Sequence, residues 1–371
     1  MSLYSRLEAR YPALKQLPVH HLKEHWLTFS FFLGFIADNF TLNRVDQLFD
    51  NLVLLFYVLL AMGSLLLLYA ATAGKIPEQY VERVRTYTPL VTQYAFGGLL
   101  SGMLIFYGRS GAWFESWPYL LIILGVIAGN EMLKRRSERL IFSLTILFIG
   151  LFSYVVLVIP VVLGKMGAWI FVFSGLVALL IMYVFVRVLR LVVPNFIRAN
   201  MRMVVFSIGV TYALLNGLYF ANIIPPIPLS LKELGIYHNV ERLANGDYAL
   251  TYERGSWYEF FKDSDTTFHH HAGDTLYCFA SVFAPARLST EVYHRWEYYV
   301  PEDKEWRTHD RVSYSIDGGR NDGFRGYTAV ENVRAGKWRC SVETARKQVL
   351  GREAFSVVNA DVENGLVTEL R

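Results

Sequence analysis

The chain has 371 residues, 53% of them hydrophobic, with a mean hydropathy of +0.29 and a formal net charge of +4. That is too apolar for a soluble protein of this size, and the charge is uneven. Before residue 226 there are 18 Lys and Arg against 10 Asp and Glu, after it 18 against 22, so the two parts carry +8 and −4. The basic excess sits in short connections between apolar runs and not in one stripe, so no nucleic-acid partner is expected.

Residues 1–25 are polar and read as a cytoplasmic tail. No apolar core followed by a small-residue cleavage site is legible there, so the helices themselves are expected to direct insertion. A membrane span needs about 20 mostly apolar residues. Six runs meet this, near 51–73, 88–108, 117–133, 140–163, 167–187 and 203–224. A seventh, 26–43 ("WLTFSFFLGFIADNFTLN"), is broken by Asp38 and Asn39 and either spans or lies re-entrant. The spacing therefore predicts an all-α membrane bundle of six or seven helices over 26–225.

Basic residues alternate between the connections. The tail has four, the next loop only Arg44, then come Lys75, Arg83 and Arg85, then Arg109 alone. Lys134, Arg135, Arg136 and Arg139 follow, then Lys165 alone, then Arg187, Arg190, Arg198 and Arg202. Basic loops stay on the cytoplasmic side. The expected address is thus a bacterial inner membrane, with the N-terminus cytoplasmic and the C-terminal domain periplasmic.

The spans hold almost no ionisable residues, which disfavours a transport pathway. Asp38, with Asp46 and Asp50 beside it, makes a candidate polar membrane site; a solvated loop with a helix cap is the preferred reading. Gly98 and Gly102 form a GxxxG face, read as helix packing; the helices are expected to anchor the chain and to support a homo-oligomer.

Residues 226–275 read as a juxtamembrane hairpin and linker. "SLKELG", 230–235, has a Ser230–Glu233 capping box and a terminal glycine, and so predicts a short helix. "HNVERLANGDYALTYE" predicts a hairpin turning at Asn245-Gly246. Trp257 and Tyr258, in "GSWYEFFKD", are candidate binding residues. "FHHHAGD" is read as a polar loop and turn. Adjacent histidines point to opposite sides of an extended chain, and no ligand spacing for zinc is present, so no metal and no cofactor is expected.

Strand patterns then recur at 276–283, 291–300, 310–316, 325–331, 336–344 and 348–358. They alternate and are broken by turns such as "DGGRNDG" and "RAGK". This predicts an all-β, immunoglobulin-like sandwich over 276–360, followed by a tail, 361–371. Cys278, Trp296 and Cys340 have the order of that fold's inter-sheet cysteines and packed tryptophan. The two cysteines are either bonded, which a periplasmic setting permits, or small buried thiols. Trp296 and Trp338 read as core. Arg320, Arg325 and Tyr327 are candidate surface contacts; the two arginines are also expected to pair with Asp317 and Asp322.

"YCF", the "HRW" strand, "GGRNDGFRGYT", "GKWR" and "LGREAF" together resemble a bacterial family of polytopic membrane proteins with a C-terminal domain of unknown function, one of the DUF series. "GFIADNFTLNRVDQLFDN" is similar to a stretch before the helices of some members. The resemblance implies a β-rich C-terminal domain on an inner-membrane anchor, and no reaction or catalytic residue. Cys340 stands where relatives tend to carry an aliphatic residue, and "ARKQ" replaces a commoner glycine-containing turn. The function expected is a non-enzymatic envelope protein, partnered by the lipid bilayer, whose sandwich binds a protein, peptide or glycan. The alternative is a membrane enzyme or transporter acting on lipid or cell-wall precursors.

Overall fold

The computed structural model describes residues 46–108, 136–224, 228–253, 263–271, 273–320, 322–359 and 365–371, with Leu33, Ile36, Asp38, Phe40 and Leu42. Among the described residues five long helices come first: α1 (Leu48–Thr72), α2 (Glu78–Gly108), α3 (Arg136–Leu163), α4 (Ala168–Val192) and α5 (Pro194–Phe220). All five are long and apolar enough to cross a membrane. Six or seven were expected. The runs 117–133 and, apart from five isolated positions, 26–43 lie outside the described residues. Two helices outrun their apolar cores. α2 starts ten residues early, through a polar turn of good helix formers, and α5 starts at Pro194, where a missing N–H costs nothing.

α1 and α4 each divide into two faces at helical spacing. α1 buries Leu54, Tyr57, Val58, Ala61 and Leu65 and exposes Leu52, Phe56 and Leu59. α4 buries Phe171, Ala178, Met182 and Leu189 and exposes Phe173, Leu176, Leu180 and Val184. Both faces are apolar, unlike those of a helix on a soluble domain, which meets water on one side. Gly98 shows what the GxxxG face is for. A Cβ there would lie 2.5 Å from the Tyr57 ring, so only glycine lets that ring reach α2. The Tyr57 hydroxyl then donates to Asp38 Oδ1 at 2.7 Å, and Ser101 donates to Asp38 Oδ2 at 2.7 Å.

Among the described residues the C-terminal part is all β, with eleven strands in three sheets. β1 (Ser230–Tyr237), β5 (Leu276–Phe283) and β8 (Phe324–Val330) form one sheet in the order β1-β5-β8. β4 (Thr267–His270), β10 (Val349–Asn359), β9 (Gly336–Thr344), β6 (Ser289–Val300) and β7 (Glu305–Asp317) form the second, in the order β4-β10-β9-β6-β7. β2 (Asn239–Arg242), β3 (Tyr248–Glu253) and β11 (Leu366–Leu370) form the third, in the order β11-β3-β2. All neighbours are antiparallel except β4 and β10.

The first two sheets face each other as a sandwich. Their shared core holds Ile236, Leu276, Cys278 and Val330 from one side and Phe268, Trp296, Trp338, Cys340, Phe355 and Val357 from the other. Strand alternation puts these residues inward. β5 is buried on both faces. Its Cys278 side meets the second sheet, and Phe279 packs on Tyr237, Val240, Tyr248 and Leu250 beside the β2–β3 hairpin. That explains why β5 reads as a near-continuous apolar run.

The segment "SLKELG" is a strand, not the helix its caps suggest. β1 pairs with β5 from Ser230↔Phe283 to Tyr237↔Tyr277, with a bulge between Leu231 and Glu233. The buried edge of β5 would otherwise present unpaired N–H and C=O groups, a cost larger than one capping box offsets. So residues 226–275, read from sequence as hairpin and linker, supply β1 and β4 to the sandwich. The Asn245-Gly246 turn is as expected: Gly246 has φ 91° and its N–H donates to Leu243 O.

Candidate functional site

Cys278 and Cys340 are joined by a disulfide, with Cα atoms 6.6 Å apart. It links the two sheets through the core. Trp296 is the direct cross-strand partner of Cys340 and is fully buried beside it. A bond between sheets with a tryptophan packed on it is the arrangement of an immunoglobulin-like sandwich. A chain of hydrogen bonds runs past this point. Trp296 Nε1 donates to Thr328 Oγ1 at 3.0 Å; His294 Nδ1 lies 3.0 Å from the same oxygen and His294 Nε2 lies 2.9 Å from the Tyr314 hydroxyl. Burial holds the His294 imidazole down to about 3, so it is neutral at ordinary pH.

The outer face of the second sheet is different in kind. Register places Arg295 directly opposite Arg311, a like-charge pair that is unfavourable by itself. Glu343 resolves it. Arg311 Nε donates to Glu343 Oε1 at 2.6 Å, and Arg295 Nε lies 3.3 Å from Oε2. One row along, Arg339 Nε donates to Glu297 Oε2 at 2.6 Å. Both carboxylates are buried under the guanidinium groups, which stay partly open to solvent. The guanidinium groups also lie on rings: Arg311 over Tyr293 at 3.8 Å and Arg339 over Trp306 at 4.2 Å. Arg352 Nε, on the adjoining strand, donates to Ser341 Oγ. The result is a flat face of fixed guanidinium groups with aromatic faces beneath, able to take carboxylate oxygens in fork geometry.

None of this face was singled out in the sequence. The signal was present as Glu291, Tyr293, Arg295 and Glu297 at every second position of β6 and Arg339 and Glu343 on β9, but pairing across strands decides which of them meet. The residues that were singled out lie elsewhere. Arg325 pairs with Asp247 at 3.6 Å and Arg320 lies over the Phe324 ring at 5.2 Å, so their partners are not Asp317 and Asp322. Tyr327 is 40% exposed and forms a small aromatic patch with Tyr277 and Tyr248. Trp257 and Tyr258 lie outside the described residues. Asp46 is half-buried ahead of α1, Asp50 is buried in its first turn, and Asp38 is held by Tyr57 and Ser101. His269 and His271 turn to different carboxylates, Glu253 and Asp274.

Residues 289–357 match the family model of DUF2914, a protein of unknown function. The match runs from the start of β6 through nearly all of β10, and so contains both the guanidinium face and Cys340. No curated protein matches the chain. Among solved structures, an immunoglobulin-like protein from Pseudomonas aeruginosa is similar at 16% identity, covering 34% of this chain and 97% of its own, with a TM-score of 0.19. At that similarity the fold rests on the sheets and the disulfide described above.

Proposed function

We propose that the chain is a multi-pass inner-membrane protein that presents the DUF2914-containing sandwich in the periplasm as a non-enzymatic binding module for an acidic protein or peptide segment. The guanidinium face carries this reading. Arg, Tyr and Trp are the residues that dominate the energetics of protein interfaces, and here they are held rigid by strands and by buried carboxylates. Charge supports the topology: basic connections alternate along the helical part, and the exposed apolar rows of α1 and α4 suit a hydrocarbon surface.

Binding is expected to be read as follows. The full chain in detergent is titrated with a fluorescent oligo-glutamate peptide, and the double variant R311A/R339A is titrated beside it. The variant is expected to bind at least about tenfold more weakly, since arginines that act as hot spots cost about 2 kcal/mol or more when truncated. Wild-type binding is expected to weaken with salt, as exposed charge pairs do. Equal affinity of the two proteins overturns the assignment of this face. Topology has its own measurement. Alkaline phosphatase fused after Arg371 is expected to be active and a fluorescent protein in the same place dark; the reverse pattern places the sandwich in the cytoplasm.

A further inference from the structure

A second cluster lies away from the guanidinium face, where β1 and β3 end and β4 begins. His238 sits between β1 and β2, Glu253 ends β3, and Asp265 precedes β4. His238 Nε2 is 3.0 Å from Glu253 Oε1 and 3.7 Å from Asp265 Oδ2. One ligand atom from each of the three lies within 4.8 Å of the others. Ligand atoms bound at about 2.0–2.1 Å around a tetrahedral ion sit about 3.3 Å from one another, and the two spacings from His238, 3.0 and 3.7 Å, bracket that figure.

The three side chains are held by the backbone. His238 N–H donates to Thr251 O and Asp265 N–H to Ile236 O, at 2.8 and 2.9 Å. Asp265 Oδ1 accepts from Glu253 N–H at 2.8 Å, which aims its other oxygen toward His238. The His238 ring is stacked on Phe268, centroids 3.8 Å apart. Glu253 is fixed twice more, by the N–H of His269 and by His269 Nδ1, each at 2.7 Å. Two buried carboxylates concentrate negative charge where water is scarce, and a divalent cation is the ligand that matches it. One imidazole in the set favours a first-row transition ion over calcium or magnesium.

We propose that His238, Glu253 and Asp265 bind one divalent transition-metal ion, with His269 as the positioning partner that orients Glu253. The ion would tie β1, β3 and β4 together, and a fourth position would remain for water or a ligand atom. The site is independent of the acidic-peptide reading.

Zinc is the probe. The full chain, without a histidine tag and stripped with chelator, is titrated with ZnCl₂; bound metal is counted by atomic spectrometry after desalting, and thermal unfolding is followed. One ion per chain and a raised melting temperature are expected. H238Q, which retains a hydrogen-bonding side chain toward Glu253, is expected to lose both, and D265N likewise. H270A/H271A, which removes the neighbouring histidines, is expected to keep both. The proposal is overturned if wild type binds no zinc, if H238Q and D265N bind as wild type does, or if H270A/H271A is the variant that loses the ion. Should H238Q fail to fold, D265N decides by the same two measurements.

Discussion

Replacing Cys278 and Cys340 together by alanine is expected to lower the unfolding free energy of the sandwich by about 4 kcal/mol. The bond spans 62 residues of sequence. Closing a loop of that length removes conformational freedom from the unfolded chain, and the chain-entropy model converts it to that figure. The folded state adds to the cost, because both cysteines are fully buried in the cluster that holds Trp296 and Trp338, where a vacated volume is not readily taken up. For a β region of this size the change corresponds to roughly 10 °C in melting temperature. The measurement is thermal unfolding of the full chain in detergent, followed by tryptophan fluorescence, with reductant added to the wild type as a parallel arm. A double variant that melts with the oxidised wild type removes the bond from the account of stability.

Acid is expected to destabilise the same domain through His294. In the unfolded chain this imidazole titrates near 6.5, while in the core burial holds it down to about 3. Between those values the unfolded state binds a proton that the folded state does not. Stability therefore rises with pH across the window and is lost as pH falls below about 6.5, at up to about 1.4 kcal/mol per pH unit from this one group. Falling to pH 5 is expected to cost about 2 kcal/mol. Glu233 and Glu353, both raised by burial, act in the opposite sense at lower pH, since their folded forms take up protons earlier. His294→Gln separates the contributions. It keeps a hydrogen-bonding group toward Thr328 and Tyr314 but no titration, so its melting temperature should vary less between pH 7 and 5. An unchanged pH profile would show that His294 is not the group responsible.

The two predictions draw on one construction. β6 carries His294 and Trp296 inward and Arg295 and Glu297 outward, so a single strand supplies both the core network and the guanidinium face. The bulge after Trp296 on the β6–β7 pairing leaves that alternation intact along β6. A face built this way is as rigid as the core beneath it, which is what a binding surface needs in order to avoid an ordering cost on association.

Local pattern was enough for much of this molecule. Long apolar runs make helices because a span must satisfy its own backbone, so α1, α3 and α4 are legible from composition. The strands 276–283 and 336–344 are legible to the residue, the first as a short apolar run after a turn and the second because alternation and flanking turn residues agree there. Parity alone could group Cys278 with Leu276, Ala280 and Val282 on one face, and Cys340 with Trp338 and Val342 on another. Contacts between distant segments lie beyond such reading. Residues 230–237 carry a helix's caps but become a strand because β5 has an edge to fill. Arg295 and Arg311 face each other, with Glu343 between them, only once three strands are in register. His238, Glu253 and Asp265 are spread over 28 positions of sequence and converge because three strand ends do. Sequence sets what each segment can form by itself; pairing and burial, which act between segments, decide which polar groups meet, and the candidate sites of this protein are all of that second kind.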